Sequence, residues 1–167
     1  MINRFLLILL FSLLTACSVQ VSPSAEDEQV DAGSAAQQEE LVAAVKVVAR
    51  MLDDGRFAEA WSLVGPSLQS QTSSEEWARN VAMMRKPLGA VERRTGKGFA
   101  FPKELDDAPP GEYGLLGAST DFANAKAVEE KFVFQRVGGK WRLVGYSLAK
   151  TITVGEPSEP SERVGPN

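Results

Sequence analysis

Apolar residues recur with two different periods along this chain, and the period changes near Leu88. In EELVAAVKVVARMLDDG, Leu41, Val45, Val48 and Leu52 are spaced by four, three and four residues, which is one face of a helix. Lys46, Arg50 and Asp53 fall off that stripe, and Gly55 is placed to end the helix at C′. RFAEAWSLVGP predicts a short second helix with Phe57, Ala60, Trp61 and Val64 on one face, stopped by Gly65-Pro66. Ser73 followed by Glu76 is a capping-box pattern. It opens a third helix whose apolar stripe runs through Trp77, Val81 and Met84 and which Pro87 ends.

After Leu88 the period becomes two. LGAVERRTGKGFAF predicts a long first strand with a bend or bulge at Gly96 or Gly98. DDAPPGEYG reads as a loop and EYGLLGASTDFA as a second strand. AKAVEEKFVFQRV and KWRLVGYSLAKT flank Gly138-Gly139, a hairpin signal. With those glycines as the loop, Val137 faces Lys140, Arg136 faces Trp141, Phe134 faces Leu143, and Phe132 faces Gly145. That face is apolar in its middle, and Glu130 lies at its end. Glu129, Lys131 and Tyr146 then share the more solvated face, and a slip of one residue would exchange the two. The expected fold is therefore α+β: three N-terminal helices packed on a curved four-stranded antiparallel sheet. The layout resembles the cystatin-like and nuclear-transport-factor-two-like cone.

The chain begins MINRFLLILLFSLLTAC, with Arg4 ahead of a short apolar run and small residues at Thr15 and Ala16. This has the architecture of a signal peptide over residues 1–16, too short for a spanning helix of about 20 residues. Leu14-Thr15-Ala16-Cys17 resembles the lipobox of bacterial lipoproteins. The resemblance implies cleavage before Cys17 and lipidation of its sulfur, so that the chain is held on a membrane of the bacterial cell envelope. Ser18 rather than Asp after the cysteine implies, in a Gram-negative host, the outer membrane facing the periplasm. Residues 17–38 contain no aromatic residue and many Ser, Ala, Gln and acidic residues, and are expected to be a flexible tether. About 20 such residues reach roughly 25 Å from the membrane. The α+β domain is expected over residues 39–153, and residues 154–167, with Pro157, Pro160 and Pro166, as a disordered tail.

Composition narrows the chemistry. The chain has 167 residues, 44% hydrophobic and 24% charged, with a net charge of −4. No basic stripe suggests a nucleic-acid partner. The sequence contains no histidine and one cysteine. Within it there is no disulfide, no zinc site built from Cys and His, and no Ser-His-Asp or Cys-His nucleophile. No cofactor or metal site is expected, and any catalysis rests on Asp, Glu, Tyr, Lys, Arg or Ser.

A set of short stretches carries a family resemblance. They are Leu52-Asp53-Asp54-Gly55 with Trp61, Trp77 with Arg85, Pro87-Leu88-Gly89 with Arg94, and Pro110-Gly111-Glu112-Tyr113. Phe122, Val128-Glu129, Gly139-Lys140-Trp141-Arg142 and Gly145-Tyr146 complete it. Together they resemble the bacterial family known as domain of unknown function 4019, from Ala49 to Lys150. The resemblance implies a small secreted or envelope domain and brings no reaction. It picks out Arg85, Arg94, Glu112 and Glu129 as either a polar pocket for an anionic ligand or structural ion pairs between the third helix and the sheet.

Three functions are open at this stage. The first is a non-catalytic, membrane-anchored envelope lipoprotein that serves as a protein-binding or scaffold module, docking another envelope protein or a second copy of itself. The second is a small-molecule binder using the concave sheet face, with Phe132, Phe134, Trp141, Leu143 and Gly145 as the pocket wall. The third is a proton-transfer enzyme in which Tyr113 or Tyr146 works with a carboxylate such as Asp121 or Glu130. Trp61, Trp77 and Trp141 are expected in the core.

Overall fold

The computed structural model describes residues 31–150. The signal peptide, Cys17, the first part of the tether and the C-terminal tail lie outside the described residues. Among the described residues four α-helices precede four strands: α1 (Ala35–Asp53), α2 (Phe57–Ala60), α3 (Pro66–Gln69), α4 (Ser74–Arg85), β1 (Val91–Ala100), β2 (Tyr113–Phe122), β3 (Val128–Val137) and β4 (Lys140–Ala149). The fold is α+β, and the strands form an antiparallel meander in the order β1-β2-β3-β4.

Helix α1 starts at Ala35, ahead of the expected Glu39, because Ser34 caps it. The Ser34 hydroxyl accepts from the Gln37 amide at 3.3 Å, and the Ser34 amide donates to Gln37 Oε1 at 2.9 Å. Two orphan amides are thus satisfied before the apolar stripe begins. Leu41, Val45, Val48 and Leu52 are buried, as the spacing predicts. A 3₁₀ turn, Trp61–Leu63, extends α2. The chain then touches the sheet edge: Val64 bridges Leu143 in parallel and the Gly65 amide donates to Leu143 O at 2.8 Å. A Cβ on Gly65 would lie 2.8 Å from Val144 Cγ1, so only glycine fits without a shift. In α4 the Ser73 hydroxyl caps the Glu76 amide at 3.2 Å. The buried stripe of α4 is Trp77, Val81 and Arg85, while Met84 is 39% exposed.

The β3–β4 hairpin keeps the expected register from the Gly138-Gly139 turn as far as Phe134↔Leu143 and then departs from it. Val144 is an extra residue, a β-bulge, and beyond it Val133 faces Gly145 and Phe132 faces Tyr146. The alternation of β4 is inverted past the bulge, so Tyr146 comes to the face that carries Phe132 and Phe134. β1 carries two bulges, at Glu92 and Lys97. The inner sheet face supplies Leu116, Ala118, Phe132, Phe134 and Leu143 to one core with the α1 stripe, Ala60, Val64, Trp77 and Val81. α1 comes close enough to β2 that a Cβ on Gly114 would sit 3.1 Å from Leu41 Cδ2.

Candidate functional site

The inner face becomes polar where the last turns of α1 and α4 cross the sheet. Asp53 ends α1, off its apolar stripe. Arg85 ends α4 in phase with Trp77 and Val81, so its stem continues the apolar stripe and its guanidinium reaches inward. Thr120 and Glu130 come from β2 and β3, on the inner face. Two bulges complete the set. The one at Glu92 turns Arg93 outward opposite Asp121 and Arg94 inward opposite Thr120. The one at Val144 brings in Tyr146.

Glu130 is the centre, with its side chain wholly buried. Its Oε1 accepts from Arg85 Nη1 at 2.9 Å, Tyr146 Oη at 2.7 Å and Arg94 Nη2 at 3.3 Å. Its Oε2 accepts from Arg94 Nε at 2.6 Å and Thr120 Oγ1 at 2.7 Å. Five donors exceed the roughly four lone-pair sites of a carboxylate, so its accepting capacity is filled from within the chain. Asp53 accepts from both guanidinium groups, from Arg85 Nη2 at 2.5 Å and from Arg94 Nη1 and Nη2 at 2.9 Å each. Two guanidinium groups therefore face two carboxyl groups, and the formal charges cancel. Arg85 also lies over the Phe122 ring at 5.4 Å and the Tyr146 ring at 5.9 Å.

The environment shifts two of these groups. Burial, reinforced by the adjacent Glu130, pushes the Tyr146 hydroxyl well above its ordinary pKa. Burial lowers the Arg94 guanidinium, and the hydrogen bonds to Asp53 and Glu130 outweigh that and raise it. Tyr146 is held as a neutral phenol that accepts from Arg85 at 2.5 Å and donates to Glu130. Chemically this arrangement is a closed ion-pair network. Removing one partner of a buried pair costs about 3–5 kcal/mol, because the other charge is left behind.

The structure brings together Arg85 and Arg94 and leaves Glu112 and Glu129 elsewhere. Glu112 is half exposed, 3.7 Å from Arg136. Glu129 is exposed opposite Ala149, on the outer sheet face. Glu130, one residue away, occupies the inner position. Tyr113 is buried apart from the network, donating to Pro109 O at 2.5 Å and accepting from Gln135 Nε2 at 3.1 Å. Asp121 faces outward, its carboxyl lowered by the Ala127 amide and then by Arg93. Phe132, Phe134 and Leu143 are buried in the core. Gly145 faces Val133, whose Cβ would lie 3.2 Å from an added methyl. Trp61 and Trp141 are only partly buried; Trp77 is buried. Trp141 packs on Phe101 with ring centroids 6.1 Å apart and under Arg136 at 5.3 Å. Its indole Nε1 is buried with no hydrogen-bond partner among the described residues. No group of three or more metal-ligating side chains occurs among the described residues.

The sequence profile of the family described as "Protein of unknown function (DUF4019)" matches residues 44–146, more than half of the chain. The chain belongs to this family. The matched span holds Asp53, Arg85, Arg94, Thr120, Glu130 and Tyr146, so the whole network lies inside the family domain. No curated protein matches the sequence.

Proposed function

We propose that this family member is a non-catalytic envelope lipoprotein, anchored through lipid on Cys17, whose α+β domain docks a protein partner. The supporting observation is the closed Glu130 network. Five internal donors fill the one wholly buried carboxylate among the described residues. The polar cluster is then a lock between the helix ends and the sheet, with the accepting capacity of Glu130 taken up within the chain. Leu14-Thr15-Ala16-Cys17 supplies the address, and no helix among the described residues is long and apolar enough to cross a membrane. The sheet wraps the helices as a cystatin-like or nuclear-transport-factor-two-like cone, with the network at one end.

The proton-transfer reading draws on one contact, the 2.7 Å hydrogen bond between Tyr146 and Glu130. It ranks second because the same carboxylate is held by both arginines and Thr120. Binding of a small molecule by the concave face ranks third, since Phe132, Phe134 and Leu143 pack into the core there.

Two measurements test the proposal. Palmitate labelling should mark the wild type, while Cys17→Ala accumulates as an unlabelled precursor; equal processing of both removes the anchor. Native mass spectra of residues 18–167 with host envelope extract should show a whole-protein adduct. An added mass of a few hundred daltons would instead favour the small-molecule reading.

A further inference from the structure

Among the described residues, the chain covers one end of its outer sheet face and leaves the other end bare. At the covered end Tyr113 and Gln135 are an in-register pair, and both are buried. Tyr113 donates to Pro109 O in the β1–β2 loop, and Ser67 of α3 donates to Gln135 Oε1 at 3.4 Å. A Cβ on Gly111 would sit 2.7 Å from Gln135 Nε2. Beyond this cover the outer pairs are Leu115↔Val133, Gly117↔Lys131 and Ser119↔Glu129. On the β4 side Lys131 faces Ser147 and Glu129 faces Ala149. Glu129 and Lys131 are exposed, and their directly opposed neighbours are small and uncharged. A Cβ built on Gly117, or on Gly98 in register with it, would meet nothing within 4 Å. Neither Glu129 nor Lys131 has an ion-pair partner among the described residues. Asp121 and Arg93, further along the same face, pair with each other at 2.7 Å.

Two opposite charges therefore project from β3, two residues apart, above a floor of small residues. A partner that satisfies both needs a cation and an anion at the same spacing on a flat surface. β3 itself, turned end for end, supplies them: an anion then lies over Lys131 and a cation over Glu129. We infer that the bare end of the outer face packs against the same face of a second copy, about a two-fold axis that sets the two β3 strands antiparallel. Such an interface is isologous, each charge meeting its opposite twice over. Sheets packed face to face lie about 10 Å apart. Gly98 and Gly117 leave room for that approach, and Leu115 and Val133, both half-buried, add apolar contact beside the charges. With the strands parallel, like charges would meet, so the charge pattern selects the antiparallel arrangement. This deepens the docking reading above by naming the partner, and rests on it.

Sedimentation velocity of purified residues 18–167 tests this. The wild type should pass from monomer to dimer as its concentration rises, and the amides of Gly117, Glu129 and Lys131 should shift over the same range. Lys131→Glu and Glu129→Lys should each weaken the dimer at least about tenfold, because like charges are then juxtaposed. Both side chains are exposed, so thermal stability should stay unchanged. Mixing the two single variants should restore a dimer containing one chain of each, and the double variant should dimerise as the wild type does. A monomer at every concentration, or a dimer indifferent to both charge reversals, would overturn the proposal. So would a monomer in which removing residues 154–167 shifts Glu129 and Lys131, since the tail would then be the occupant. A purified monomer that gains a whole-protein adduct only in host envelope extract overturns the second copy and keeps the docking reading. Neither dimer nor adduct removes both.

Discussion

Helix α1 is held to the sheet by different forces at its two ends. Near its start, Leu41 lies against Gly114, and the contact is apolar and close. At its end, Asp53 meets Arg85 and Arg94, which converge with Tyr146 and Thr120 on Glu130. An apolar contact weakens gradually as volume or shape departs from the fit. A buried, charge-balanced network behaves otherwise: each member is costly to remove alone, and much less so together with its partner.

The largest expected effect separates these two behaviours. Glu130→Leu conserves volume approximately but leaves two guanidinium groups facing one carboxyl group, and should lose about 3–5 kcal/mol of stability in urea denaturation. Adding Arg85→Met restores the balance, with Arg94 and Asp53 still paired. The double variant should be less destabilised than the sum of the single changes, by a coupling of about 0.5–3 kcal/mol. Additive losses would mean that the groups act independently. At the apolar end, Leu143→Met should cost less than about 1.5 kcal/mol, since the core keeps its volume. A loss there as large as that of Glu130→Leu would erase the contrast.

The same contrast governs how much could be read from the sequence. The apolar end was legible: helical period marked the α1 stripe, the Gly-Gly turn set the hairpin register as far as Phe134↔Leu143, and the periodicities gave the α+β class. The polar end was only partly so. Arg85 and Arg94 stood out through the family pattern, but their partner is Glu130 rather than Glu129. Alternation along β3 already placed Glu130 beside Phe132 and Phe134, which was the available signal. Tyr146 and Arg94 reach the inner face only because of bulges at Val144 and Glu92, and a single extra residue leaves no periodic trace. The start of α1 was missed for another reason. Ser34 and Gln37 form a capping box inside a stretch whose composition alone suggested a tether.

Two smaller effects sharpen the account. Ser34→Ala removes the cap and should cost about 1 kcal/mol. It should act on the first turn of α1 in hydrogen exchange and leave the Glu130 end unchanged. Tyr146 has a folded pKa raised above its unfolded value, near 10, so its share of stability is fully present below that pH. Stability should fall above about pH 10, as the unfolded tyrosine ionises while the folded one stays neutral. Tyr146→Phe should flatten that alkaline loss, and an identical alkaline profile would place the titration elsewhere.

The central claim is that the Glu130 network locks the last turns of α1 and α4 onto the sheet. Native-state hydrogen exchange on Glu130→Gln tests it most directly. The variant should fold, with amides near Asp53 and Arg85 exchanging at least about a hundredfold faster, while those of β2 and β3 around Leu116 and Phe134 keep most of their protection. Unchanged protection at both helix ends, with unchanged thermal stability, would contradict it and return the cluster to consideration as a reacting site.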